Sequence, residues 1–382
     1  MSEKKPIEVI TKIYFLTGLV GLGAAALYAI FFAKELPGPL LRGPLITWAH
    51  IFTLGILFPF YAGLSIYRIT SLNNIELKIS FIWKIHYALY ILALPVYLFL
   101  IFGREGGRAL TVVGLFLFVS LSIYAIFYLT LLKKVKKADR KRSMFWVDIL
   151  SLFFLFQTAC FGALLVTNLE FGWFYSEIAH SVRVHAHSGM IGFFYLVIMM
   201  GLDWKSGLSD GSRKWFKISA WAAIIFVFVW TSVHDKKPIV FAIAWACYTL
   251  TLIPVVYILL KNRKAFGPLL IAFLFLGIGV LLAIDIIASP SKSYIFEKNI
   301  PTQYGVAVFT GFLIPAALAL YGLFTQTKLK TVLFAAGGFF TIVLMLGFYF
   351  TNSIAIGGSM FAVFAVYGLV LKDIWAASAR HP

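Results

Sequence analysis

Charge is what this sequence has least of. Only 13% of its 382 residues are Asp, Glu, Lys or Arg, against about 25% in soluble domains of average make-up. A water-soluble fold of this length needs more polar surface than these residues supply, so a soluble enzyme or binding domain is excluded. Cysteine is nearly absent as well. Cys160 and Cys247 both lie inside apolar runs, which leaves no disulfide framework and no Cys-type zinc site. There is no Cys-x-x-Cys-His, so covalent attachment of a c-type haem is excluded too. Polar stretches are short, and none is long enough to fold as a domain of its own.

What fills the chain instead is apolar sequence, 61% of all residues, with 18% aromatic. The aromatics suit interfacial belts as well as a ligand pocket and decide nothing. Twelve apolar runs stand at about 9–33, 44–67, 80–103, 109–132, 145–167, 180–202, 215–233, 238–260, 266–288, 304–325, 331–350 and 354–376. Each holds a helix of about 20 residues, the length that spans a bilayer. The expectation is an all-α polytopic membrane protein in a single integral domain, surrounded by lipid. The first run follows Lys4 and Lys5 but exceeds a signal-peptide core, so it reads as a retained anchor.

The formal charge of +18 then reports topology rather than nucleic-acid binding. With the N-terminus inside, alternate loops and helix ends place 24 Lys and Arg, Arg68 among them, on the inner side and nine outside. That asymmetry predicts both termini on the cytoplasmic side of a cell's inner membrane. The block Lys133–Arg142 has the composition to attract anionic lipid, although a topological determinant needs no further role.

The topology also places the seven histidines. His50 falls just below the outer end of span two, and His185 and His187 lie at nearly the same depth in span six. His180 sits at the mouth of span six, and His234 at the outer end of span seven. His86 lies in the inner half of span three, either bonded to a carbonyl on a neighbouring helix or functional, and His381 is in the tail. Ionisable residues inside a membrane are costly and usually functional. Two imidazoles at matched depth on separate helices, His50 and His187, suit the axial positions of one haem iron. His185 and His187, two residues apart, are about 200° apart around the helix and address different neighbours. His180 and His187 share a face but stand about 10 Å apart along the axis, too far for one metal. Arg183, one turn above His187, is placed to pair a haem propionate; its plainer reading is a snorkelling interface cation.

The two histidine spans share a pattern: His50 with Gly55 and Gly63, and His187 with Gly192 and Gly201. A glycine five residues beyond each histidine lets a flat macrocycle or a neighbouring helix come close. Span ten repeats the glycines, Gly311 and Gly322, without a histidine. Spans two, six and ten are four apart, so twelve spans divide into three units of four at about 1–140, 141–264 and 265–382.

At these residues the chain resembles the haem-copper oxidase subunit I superfamily, whose twelve spans form three four-helix arcs in pseudo-threefold arrangement. The stretch His185-Ala186-His187-Ser188-Gly189 is similar to that family's H-x-H helix. The resemblance implies a low-spin haem b on His50 and His187, and a second haem or copper at His185. It departs from the family in having H-x-H in the sixth span rather than the tenth, and in lacking the copper-binding histidines of spans six and seven. Asp148 and Asp285 are the clear carboxylates within spans, which is no proton channel of acids. The neighbourhood implied is that of the NnrS-type haem- and copper-containing proteins linked to nitric oxide stress.

The leading expectation is thus an outward-facing bis-histidine haem protein for electron transfer. Nitric oxide or oxygen chemistry would belong to a second centre on His185 with His180 or His234, making the chain an oxidoreductase served by a donor protein or quinol. Imidazole suits iron and copper alike, so residue type does not choose between them. The competing expectations are a twelve-span secondary transporter and a non-catalytic assembly subunit. Against transport stand few buried carboxylates and no paired broken helices.

Overall fold

A backbone crossing lipid must satisfy its polar groups internally, which in a chain so rich in apolar residues leaves the helix as the recurrent solution. The computed structural model describes residues 9–37, 43–73, 75, 77, 79–103, 107–135, 144–172, 178–204, 208–233, 238–288, 299–325 and 327–379. Among them there is no strand, and twelve helices are long and apolar enough to cross a membrane. They run Val9–Phe31, Gly43–Ser71, Phe81–Gly103, Gly107–Lys133, Phe145–Asn168, His180–Trp204, Asp210–Ser232, Ala242–Lys261, Arg263–Asp285, Ile300–Phe324, Thr331–Tyr349 and Ser353–Ala376, spans one to twelve below. The protein is an all-α, multi-pass membrane protein, and large apolar side chains such as Phe99, Ile253 and Ile354 lie exposed along its spans where lipid belongs.

Spans two, six and ten stand apart from the rest. Of their apolar stretches 78%, 78% and 89% is buried, against 22% to 50% in the other nine. Each also changes its winding part-way along, at Ile51–Leu57, Ser188–Tyr195 and Ala307–Leu313, where the backbone forms a π-helix. Sequence periodicity gives no sign of this, because a wider turn alters the phase of the side chains and not their chemistry. Such segments are rare and gather at functional sites. The other spans show ordinary helix devices. Pro95, Pro254 and Pro268 sit inside helices, which lipid-embedded helices tolerate when neighbours re-satisfy the freed carbonyls. Gly172 closes the helix of span five in the left-handed region, φ 65°, with its N–H on the Asn168 carbonyl at 2.8 Å.

The chain packs as two compact units, residues 1–64 with 259–382, and residues 65–258. In the first unit, spans two and ten are joined by tyrosines. Tyr61 donates to the Leu313 carbonyl at 2.8 Å, and Tyr321 to the Phe60 carbonyl at 3.2 Å. Phe52 stacks on Phe309, with ring centres 6.1 Å apart. Span twelve adds Tyr367, which donates to the Thr310 carbonyl at 3.0 Å. Leu313 and Thr310 both belong to the π segment of span ten, whose carbonyls depart from the regular i to i+4 ladder. Partners from other helices satisfy them.

The second unit holds the buried charge. Arg68, at the end of span two, is 2% exposed, and its Nη2 bonds the Asp148 carboxylate of span five. Nη2 also donates to Tyr128 of span four at 3.2 Å, and Tyr128 donates to Asp148 at 2.8 Å. Arg68, one of the inner-side cations of the charge count, is therefore a core residue rather than one that meets water. Its position next to a run of polar residues hides this in the sequence, and its partner lies 80 residues away. The list of carboxylates within spans is also corrected by one addition, since Asp203 lies at the end of span six with 5% exposure.

Candidate functional site

The π segments fix the histidines in register. His50 is the residue directly before the first segment and His187 the residue directly before the second. Val306 takes that place in span ten, where it is buried. Five residues further on stand Gly55, Gly192 and Gly311. The spacing of residue and glycine thus coincides with a π segment in all three spans, with two histidines and one valine at the same point.

Of the two neighbours a glycine admits, the structure shows a helix at each position. A Cβ on Gly21 of span one would run into the Gly55 carbonyl, one on Gly192 into the Phe154 ring of span five, and one on Gly311 into the Phe275 ring of span nine. Span two is thus seated on span one where Gly21 meets the Gly55 backbone, and spans six and ten are seated by Gly192 and Gly311 on spans five and nine.

Local bonding fixes the histidine tautomers. His50 Nδ1 lies 2.8 Å from the Ile46 carbonyl one turn earlier. His185 Nδ1 lies 2.7 Å from the Thr158 carbonyl of span five, and its ring packs over Gly162, where a Cβ would come within 2.9 Å of Cε1. A carbonyl only accepts, so Nδ1 carries a proton in both rings, and in the neutral imidazole Nε2 then keeps the lone pair. That is the arrangement in which a metal-bound histidine is oriented through its other nitrogen. His187 instead lies beside Trp230 of span seven, ring centres 4.4 Å apart and planes inclined by 31°. His185 and His187 thus turn to different neighbours, spans five and seven, as their two-residue spacing requires.

His86 has the core environment named as one alternative for it. Its Nδ1 donates to the Ser120 carbonyl of span four at 2.8 Å, and the Ser120 hydroxyl donates to the His86 carbonyl at 3.0 Å. Tyr90 and Tyr124 flank the ring at 6.0 and 5.6 Å between centres. His180 is half-buried near the start of span six. His234 and the Arg183 side chain lie outside the described residues.

Among the described residues no three His, Cys, Asp or Glu side chains gather as a metal site; a bis-histidine haem asks for only two. Sequence reasoning missed the Arg68–Asp148–Tyr128 cluster and the hydroxyl chain Tyr195–Ser219–Thr251, whose oxygens stand 2.7 and 3.0 Å apart across spans six, seven and eight. Single polar residues in separate apolar runs give no hint of meeting. Compared with known proteins, the chain matches no family model and no curated protein.

Proposed function

We propose that this is a membrane haem protein in which His50 and His187 serve as the axial ligands of a b-type haem. The observation that carries the reading is positional: in repeated spans the two histidines occupy one register, directly before a π segment and five residues ahead of a close-packed glycine. The proton of His50 on Nδ1 supports it, because Nε2 then keeps the lone pair that iron needs. When bound, a haem with both axial positions filled supplies one-electron transfer and does not readily take a gas. His185, with Nδ1 held by the Thr158 carbonyl, would be the ligand of a second haem or copper, and nitric oxide or oxygen chemistry would belong there. The reading sets the protein in a cell's inner membrane with both termini cytoplasmic, fed by a donor protein or quinol.

The test is an absorption spectrum of the purified, detergent-solubilised protein, oxidised and dithionite-reduced, with pyridine haemochrome quantification. A sharp reduced α-band, lost in His50→Ala and in His187→Ala, is the expected result. One haem per chain selects electron transfer, and two select a second centre. Colourless protein from cells with ample haem overturns the proposal. Secondary transport would then lead, favoured by the buried Arg68, Asp148 and Asp203 of the second unit.

A further inference from the structure

The charged side chains in the core of the second unit do not belong to the histidine sites. Arg68, Asp148 and Asp203 are 2%, 1% and 5% exposed. Beyond Asp148 and Tyr128, Arg68 Nη2 touches Met200 Sδ of span six at 3.6 Å. Met200 and Asp203 are three residues apart and share a helix face, so the charge of Arg68 also reaches Asp203 through space.

The two carboxylates are unequally served. Asp148 receives both Arg68 and the Tyr128 hydroxyl. Asp203 Oδ1 is buried and makes no hydrogen bond among the described residues, and Lys217 Nζ stands 3.9 Å from it. Lys217 is 41% exposed, so water screens it. Arg213 donates to the main-chain carbonyl of Asp203, at 2.8 Å. Arg68 Nε, also buried, makes no hydrogen bond among the described residues. The charged groups facing Asp203 are thus Arg68 from span two and Arg213 and Lys217 from span seven, with Asp148 and Tyr128 acting through Arg68.

Arg68 is taken by Asp148, Arg213 bonds the Asp203 main chain and Lys217 stands beyond hydrogen-bond reach, so Asp203 Oδ1 stays buried without a donor, which is expensive for a carboxylate in a membrane. A ligand that meets it must bring a donor or a positive charge. A metal ion would ask for several oxygen ligands, and no three acidic or His/Cys side chains meet here among the described residues. The proton needs one oxygen. We propose that Asp203 is a proton-binding site at the C-terminal end of span six: water delivers a proton to Oδ1, giving the neutral acid, and takes it back when the local charge changes. The site is independent of the haem reading.

Infrared difference spectra of the protein in lipid, taken between alkaline and acid pH, test this. A protonated-carboxyl C=O band that grows toward acid and is lost in Asp203→Asn is the expected result. No such band in the native protein, or a band unchanged by Asp203→Asn, overturns the proposal. If Asp203→Asn does not fold, the native protein is treated with a hydrophobic carbodiimide, which modifies protonated carboxyls in apolar surroundings, and the adduct is mapped by mass spectrometry. An adduct on Asp203 that declines as pH rises upholds the site; none there, or one on Asp148 instead, rejects it.

Discussion

Cutting the ion pair of the second unit from one side should hurt more than removing it whole. Asp148→Ala leaves the Arg68 guanidinium in the core with only the neutral Tyr128 and Met200 within contact distance among the described residues. Stranding one member of a buried pair costs about 3–5 kcal/mol. Both side chains are nearly inaccessible, 3% and 2% exposed, so solvent screening gives no discount. Tyr128→Phe deletes a hydroxyl bonded to charged groups and should cost about 1.5–3 kcal/mol. The double change Arg68→Met with Asp148→Leu removes both charges and fills similar volume, which in buried pairs is often neutral or stabilising. The assay is equilibrium unfolding in mixed detergent micelles, followed by tryptophan fluorescence, on the native protein, Asp148→Ala, Tyr128→Phe, the component singles Arg68→Met and Asp148→Leu, and the double. The expected pattern is a deep loss for Asp148→Ala and recovery of most of it in the double. Asp148→Ala that costs less than about 0.5 kcal/mol, or a double variant showing the plain sum of the singles, would refute a coupled, desolvated pair.

The same unfolding measurement separates two kinds of glycine. Gly21→Val, which must displace the Gly55 backbone, should lose about 1–3 kcal/mol or more, whereas Gly358→Ala, with nothing within 4 Å of its Cβ, should gain about 0.5–1 kcal/mol from lower chain entropy. Tyr61→Phe, which removes the hydroxyl on the Leu313 carbonyl, should cost about 1–3 kcal/mol and speed amide hydrogen exchange in the span-ten segment. For topology, a C-terminal green fluorescent protein fusion should be bright and an alkaline phosphatase fusion inactive; the reverse would invert the assigned orientation.

The spans were legible because a bilayer imposes one length and one composition, and every expected run overlaps an observed helix. The divergence of His185 and His187 was legible for a similar reason: two residues on a helix have a fixed angle, whatever surrounds them. His86 was ambiguous, since a buried histidine needs a bonding partner and the one it has, Ser120, is 34 residues distant. Arg68 and Asp203 were misjudged because each closes an apolar run, where a charge ordinarily meets water; only the folded chain shows both covered. The π segments had no sequence signal at all, as they depend on how neighbouring helices hold carbonyls that the ladder releases.

Those segments also govern how substitutions in spans two, six and ten should be interpreted. A π turn holds more residues than an α turn, so the side-chain phase above the segment does not continue below it. Each of these spans is, for phase, two helices in series: a short leading piece that ends on His50, His187 or Val306, and a trailing piece with a face of its own. A pattern of tolerated and harmful changes found in the trailing piece therefore carries no information about which way the histidine above it points. Each piece must be phased against its own neighbours.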